Sequence, residues 1–169
     1  TSIVKNVPSL GFILGDEGSG AVLGKRLVAE VLKNQLPQDL KEKFLAQYQV
    51  SQANIIEHVY RQPFPNRYLA QFSRFCAENM ENKAIRQLLY DHFLQFVQRN
   101  LLQYFEIENG VENPNTKNMP VGFVGSIAFY YEPVLRAVLD DLGLNLSQIM
   151  KTPMEGLKQY HFNDALPTD

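Results

Sequence analysis

The chain has no tryptophan and a single cysteine, Cys76. One thiol excludes an intrachain disulfide framework and any all-cysteine metal centre within one chain, so a reducing, cytoplasmic setting is the default expectation. A surplus of one charge is missing too: 16 Lys and Arg against 18 Asp and Glu leave a net charge of -2, with no basic run. Phosphate backbones are captured by clustered Lys and Arg, so nucleic acid is not an expected partner. No stretch approaches the roughly twenty apolar residues that span a bilayer, and the start lacks a charged segment leading into a signal-type apolar core; a membrane is not expected either. The first residue is Thr1 rather than Met. The chain then runs almost at once into apolar sequence, as a segment cut from something longer would.

What is present is 169 residues, enough for one ordinary domain or half of a larger protein. The densest information lies in Gly11-Phe12-Ile13-Leu14-Gly15-Asp16-Glu17-Gly18-Ser19-Gly20, which sets an apolar strand, two adjacent carboxylates and a glycine turn directly before a helix-forming segment. Glycines let backbone amides approach a ligand, and the following helix points its positive end there. Asp16 and Glu17 would repel a bare phosphate, whereas a carboxylate accepts hydrogen bonds from sugar hydroxyls at about 1.5 to 3 kcal/mol. The competing reading is an ordinary strand-to-helix turn with acids favouring a helix start. Two nucleotide motifs fail here. The phosphate loop of nucleotide hydrolases needs Gly at 19 and Ser or Thr at 26, where Ser19 and Arg26 stand, and the dinucleotide fingerprint needs a small residue where Leu23 stands.

Downstream, Ser19 or Gly20 starts a helix whose Leu23, Leu27, Val28, Val31 and Leu32 face the core, with Pro37 ending it. Helices follow over 39–48 and 51–61, the second capped by Ser51 with Ile55, Ile56 and Val59 on one face. Asn66 caps the next, carrying Tyr68, Leu69, Phe72, Phe75 and Cys76, and Asn82 caps a longer one running past Leu102. The aromatic stripe reads as core rather than a cofactor site. His58 and His92 have no partner at metal-ligand spacing and read as structural or solvent-facing. After a polar loop at 108–119 the pattern changes: Val121-Gly122-Phe123-Val124-Gly125 is a short strand ending at Ser126, a helix carries Tyr131, Leu135, Val138, Leu139 and Leu142 to Gly143, and 146–150 is a weaker strand. Thr152-Pro153-Met154-Glu155 supplies a capping box for a final helix through Tyr160. Strand, several helices, strand, helix, strand, helix suits a small mixed α/β layer structure with a large helical insertion. Gly122, Gly125 and Ser126 sit at a strand-to-helix junction, where ligands bind in open α/β sheets but where many junctions are merely structural.

Taken together, Leu14-Gly15-Asp16-Glu17-Gly18-Ser19-Gly20, Pro65-Asn66-Arg67-Tyr68-Leu69-Ala70-Gln71-Phe72, Val124-Gly125-Ser126, and Pro153-Met154-Glu155-Gly156-Leu157 with Tyr160-His161 resemble, in this order, the signatures of N-acetylglucosamine kinases and the related BadF-type ATPases. These belong to the actin, Hsp70 and sugar-kinase superfamily. The resemblance covers only the carboxyl-terminal half of a full member. It implies that residues 1–169 are a single domain, the C-terminal lobe of a two-lobed kinase, with an RNase H-like (actin-like ATPase) α/β fold and a large helical insertion. The amino-terminal lobe, carrying the phosphate loop, the metal-binding carboxylate and the catalytic Asp, has no counterpart in the chain.

On this resemblance Asp16 hydrogen-bonds sugar hydroxyls, Gly15 and Gly18 shape the pocket, and Gly125 and Ser126 contact the nucleotide. Ala84, in Glu81-Asn82-Lys83-Ala84, aligns with a further nucleotide-contacting position. Phe12 stands where the family often has a sugar-contacting tryptophan. The implied activity is ATP-dependent phosphorylation of an amino sugar, N-acetylglucosamine, with ATP and Mg as cofactors. The amino-terminal lobe is the implied partner, a homodimer is left open, and the fragment alone is expected to be inactive. Two alternatives stay beside it: an activator ATPase, whose bridging iron-sulfur cluster needs paired cysteines where this chain offers only Cys76, and a noncatalytic helical interaction module.

Overall fold

The computed structural model describes residue 3 and residues 5–105, 119–154 and 156–158. The chain divides into two compact units, Thr1–Lys117 and Asn118–Asp169. The polar loop expected at 108–119 lies outside the described residues except for its last position, as do Glu155, Tyr160 and His161.

In the first unit the expected opening strand is instead one helical turn, α1 (Gly11–Leu14). Leu10 and Gly11 take left-handed backbone conformations, φ 60° and 73°, and fold the chain back so that the Gly15 amide donates to the Gly11 carbonyl at 2.8 Å and the Asp16 amide to the Ser9 carbonyl at 2.8 Å. A short apolar run is ambiguous between strand and helix. A strand must satisfy its amides on a neighbour, and the described residues of this unit contain no strand, so the run satisfies them locally. Ile13 and Leu14 are accordingly exposed.

Helix α2 (Gly20–Leu32) starts at Ser19, whose Oγ accepts from the Val22 amide at 3.2 Å. Leu23, Leu27, Val28 and Val31 on one face are buried, as their spacing predicts. Helices α3 (Gln38–Tyr48), α4 (Gln52–Arg61), α5 (Pro65–Ala70), α6 (Ser73–Glu78) and α7 (Lys83–Phe96) complete the unit. Pro37 caps the start of α3 rather than ending α2. Ser51 and Asn54 form a reciprocal capping box on α4, and Pro65 opens α5, so Asn66 lies inside the helix it was expected to cap. Helix α2 packs on α5, α6 and α7. Its crossing with α5 requires Gly24, because a Cβ there would lie 1.9 Å from the Leu69 carbonyl oxygen. Phe44, Phe72 and Phe75 meet at ring-centroid distances of 5.2 and 5.3 Å from Phe44, which makes the aromatic stripe core. Asn82 caps α7 by accepting from the Ala84 amide at 2.9 Å. The helix continues through a π-helical turn, Val97–Leu101, and a 3-10 turn, Leu102–Tyr104.

The second unit holds β1 (Val121–Val124), α8 (Ser126–Tyr130), α9 (Glu132–Asp141) and β2 (Leu146–Met150). The strands pair in parallel, Gly122 with Gln148 and Val124 with Met150, with an irregularity between Val121 and Gly122. A parallel pair needs a crossover connection, which α8 and α9 provide. Tyr131, Val134, Leu135, Val138 and Leu139 are buried, together with Val121 of β1. The helix expected here is split at Tyr131, and Pro133 falls in the first turn of α9. Residues 154 and 156–158 are helical, with the Leu157 amide donating to the Pro153 carbonyl at 2.9 Å. Among the described residues no helix is long and apolar enough to cross a membrane.

Candidate functional site

The acidic glycine loop joins α1 to α2. Asp16 is left-handed at φ 56°, a conformation Asp tolerates better than most residues, and its carbonyl accepts from the Ser19 amide at 3.0 Å. Gly18 is left-handed too, at φ 82°, and a Cβ there would meet the Phe96 ring at 2.9 Å. A side chain at position 18 therefore has no room unless the end of α7 moves.

Glu17 is clamped from that same end. Arg99 donates through Nε to Glu17 Oε1 at 2.6 Å, and Asn100 Nδ2 lies 3.4 Å from Oε2. Both residues come from the π-helical turn. Partial burial pushes the Glu17 carboxyl up, but its own backbone amide, Asn100 and Arg99 together outweigh that and hold it below the ordinary value. Next to this clamp opens a cavity of about 200 Å³ lined by Val7, Ser9, Asp16, Glu17, Phe96, Asn100, Leu101 and Tyr104. The Tyr104 hydroxyl accepts from the Val7 amide at 2.9 Å, which leaves its proton free to donate. Glu17 neutralises Arg99, so Asp16 leaves the cavity with an acidic, hydroxyl-accepting character. That suits a neutral, hydroxyl-rich small molecule better than a bare phosphate. On the other side of Glu17 a more open hollow of about 410 Å³ gathers Gly15, Lys25, Arg26, Gln95 and Arg99.

Beneath the loop lies His92, only 1 % exposed. Neither ring nitrogen reaches a hydrogen-bond partner in bonding geometry. Burial, with the Arg26 charge adding to it, pushes its pKa down to about 4, and the Gly18 main chain opposes this only weakly. The ring is neutral at ordinary pH. His92 is thus structural, as its isolation in the sequence suggests, and it is buried rather than solvent-facing. His58 is exposed and stacks on Tyr68 at 4.5 Å.

The structure brings Gly15, Asp16 and Gly18 together on this one loop. Ala84 stands at the start of α7, twelve residues before Phe96 and so about 18 Å away along the helix axis. Gly125 and Ser126 belong to the second unit. The Gly125 amide donates to the Met150 carbonyl at 2.8 Å, and Ser126 begins α8 with no side-chain cap, beside the exposed rings of Phe129 and Tyr130, which Lys151 approaches at 5.7 and 4.8 Å. Phe12 is approached by Lys25 at 5.4 Å. Among the described residues no group of three or more His, Cys, Asp or Glu could hold a metal ion, so no Mg ligand set is assigned to them. Sequence reading missed Phe96, Arg99, Asn100 and Tyr104. The available signal was the spacing by four of His92, Phe96, Asn100 and Tyr104, which sets polar residues into an otherwise apolar helix face.

No protein-family model matches the chain, and no curated protein does. A crystal structure from Porphyromonas gingivalis, assigned provisionally as an N-acetylglucosamine kinase, is similar to it with a TM-score of 0.88 and 45% sequence identity. The match covers 98% of this chain and 55% of that one, so the chain spans about half the length of the protein it matches. Identity at this level over nearly the whole chain bears out the resemblance to N-acetylglucosamine kinases, and the mixed helix-and-strand fold is shared.

Proposed function

We propose that the chain, as a relative of N-acetylglucosamine kinases, is the C-terminal lobe of a two-lobed, RNase H-like sugar kinase. In the intact protein it would transfer the terminal phosphoryl group of ATP to a hydroxyl of N-acetylglucosamine. The observation that carries this reading is the match at 45% identity to about half of a kinase-assigned structure, together with an acidic cavity built on the Asp16 loop. In this lobe Asp16 accepts hydrogen bonds from sugar hydroxyls, with Gly15 and Gly18 giving the loop its shape. Gly125 and Ser126 meet the nucleotide, and Ala84 is a further nucleotide contact on resemblance alone.

Phosphoryl transfer is mostly positioning and charge stabilisation. Mg, when bound, neutralises charge on the phosphates, and its ligands and the carboxylate base are assigned to the amino-terminal lobe. The task of this chain is to orient the acceptor hydroxyl and exclude water around it. Cys76 weighs against the activator reading, because its thiol is buried and pushed up to about 12, unlike the accessible thiolates that hold a cluster.

The test is an amide-resolved titration of the chain with N-acetylglucosamine. Asp16, Glu17 and Gly18 should respond, and Asp16→Asn should weaken the response about tenfold or more, the size of a lost charged hydrogen bond. The chain alone should yield no sugar-dependent ADP. Silence of the three amides at millimolar sugar sinks the sugar assignment, and ADP production by the chain alone sinks the division of labour between lobes.

A further inference from the structure

The acidic loop is held in an unfavourable shape by residues far away in sequence. Asp16 is a non-glycine residue at φ 56°, and Gly18, two positions on, is at φ 82°, a conformation that glycine adopts without strain. A left-handed non-glycine residue costs about 1 to 3 kcal/mol, with Asp at the low end, and persists where the surroundings enforce it. The enforcing contacts run through Glu17, whose side chain is only 11% exposed between Asp16 and Gly18 and meets Arg99 at 2.6 Å and Asn100 at 3.4 Å. A regular α-helix would carry successive positions spaced by four steadily around its axis. The π-helical turn Val97–Leu101 widens the spiral by one residue just where Arg99 and Asn100 must face the loop, and such turns recur at functional sites. Asn100 Nδ2 also lies 3.4 Å from the Phe96 carbonyl, which the wide turn leaves accessible.

We propose that Arg99 is a positioning residue that acts through Glu17, with Asn100 as its second point of attachment, to hold Asp16 in the conformation in which it lines the adjoining cavity. Arg99 lines the hollow on the opposite side of Glu17 and not the cavity that Asp16 lines. Its effect on a ligand is therefore indirect. The consequence for sugar binding rests on the assignment of Asp16 as a sugar ligand; the effect on the loop does not.

Amide hydrogen exchange on the full chain tests this without any sugar. The Asp16 amide is bonded to the Ser9 carbonyl and the Ser19 amide to the Asp16 carbonyl, so both report the loop. In Arg99→Gln these two amides should exchange about tenfold faster, as expected for loss of one charge-assisted pair. The amides of Leu27 and Val28 in α2 should stay within about twofold, which a loss of general stability would not allow. Arg99→Lys should restore part of the protection. In a Glu17→Gln background the Arg99→Gln change should add little, because both act on one pair. Unchanged exchange at Asp16 and Ser19, equal acceleration of Leu27 and Val28, or a full effect of Arg99→Gln in the Glu17→Gln background would each overturn the proposal. Failure of the sugar assignment shows up separately, as unresponsive Asp16 shifts when N-acetylglucosamine is added to the wild-type chain.

Discussion

The acidic loop and the Gly125–Ser126 junction are both glycine turns feeding a helix, yet they are built by opposite means. The loop depends on side chains: an ion pair and an amide contact at Glu17, a phenylalanine under Gly18, a buried neutral histidine below, and a serine cap on α2. The junction depends on backbone: the Gly125 amide extends the strand ladder to Met150, no neighbouring atom of the described residues lies within 4 Å of where a Gly125 Cβ would be, and α8 begins without a side-chain cap. A loop fixed by side chains presents one geometry to a ligand. A junction fixed by the sheet leaves its side chains free for whatever binds there.

Substituting the two glycines separates the cases most sharply. Gly18→Ala adds a methyl group against the Phe96 ring and forces a left-handed alanine, so overpacking and strain act together, for a loss of about 3 kcal/mol. Gly125→Ala meets no neighbouring atom among the described residues, only the backbone strain of φ 138° and ψ 157°, a region reached almost exclusively by glycine, about 1 to 3 kcal/mol. Urea unfolding followed by circular dichroism measures both losses. A Gly18→Ala loss smaller than that of Gly125→Ala would mean that Phe96 yields freely and that the loop is no more tightly built than the junction.

Acid should break the comparison next. The His92 pKa is depressed from 6.5 to about 4 in the fold, so the unfolded chain binds the proton first, and stability falls as the pH drops through that window. The full difference is about 3 kcal/mol. Above pH 6.5 the neutral ring contributes in full. The described residues of the second unit contain no histidine. Amides of the loop should thus lose protection between pH 6.5 and 4 while those of β1 keep theirs, and His92→Leu should flatten the dependence. A loop whose protection ignores pH across this range would show the ring to be solvated.

What the sequence disclosed follows the same division. The caps at Ser51 and Asn82, the buried face of α2 and both strands of the second unit were legible, because caps and periodicity are local. The opening apolar run was misread as a strand, since four apolar residues do not say whether a neighbour waits to pair with them. The acidic pair was legible as a ligand-facing candidate, but its support was not. Asn100 lies 83 positions from Glu17, and only the fold brings the π-helical turn back to the loop. A histidine isolated in sequence gives no hint that Gly18 and Arg26 surround it.

The smallest effect discriminates most finely, because it compares the serines at two helix starts, Ser19 at the N-cap of α2 and Ser126 at the first helical position of α8, after Gly125. Ser19 caps α2 through its hydroxyl, and Ser19→Ala should cost about 1 kcal/mol, the usual value of a lost N-cap. Ser126 opens α8 without any side-chain cap, so Ser126→Ala should leave stability within about 0.5 kcal/mol. A serine that contributes so little to its own helix is free to serve a ligand. If Ser126 meets the nucleotide, the same substitution should weaken ATP binding in the intact protein while the melting temperature stays put. A Ser126→Ala variant that melts lower than Ser19→Ala would reverse the contrast and return the junction to a purely structural role.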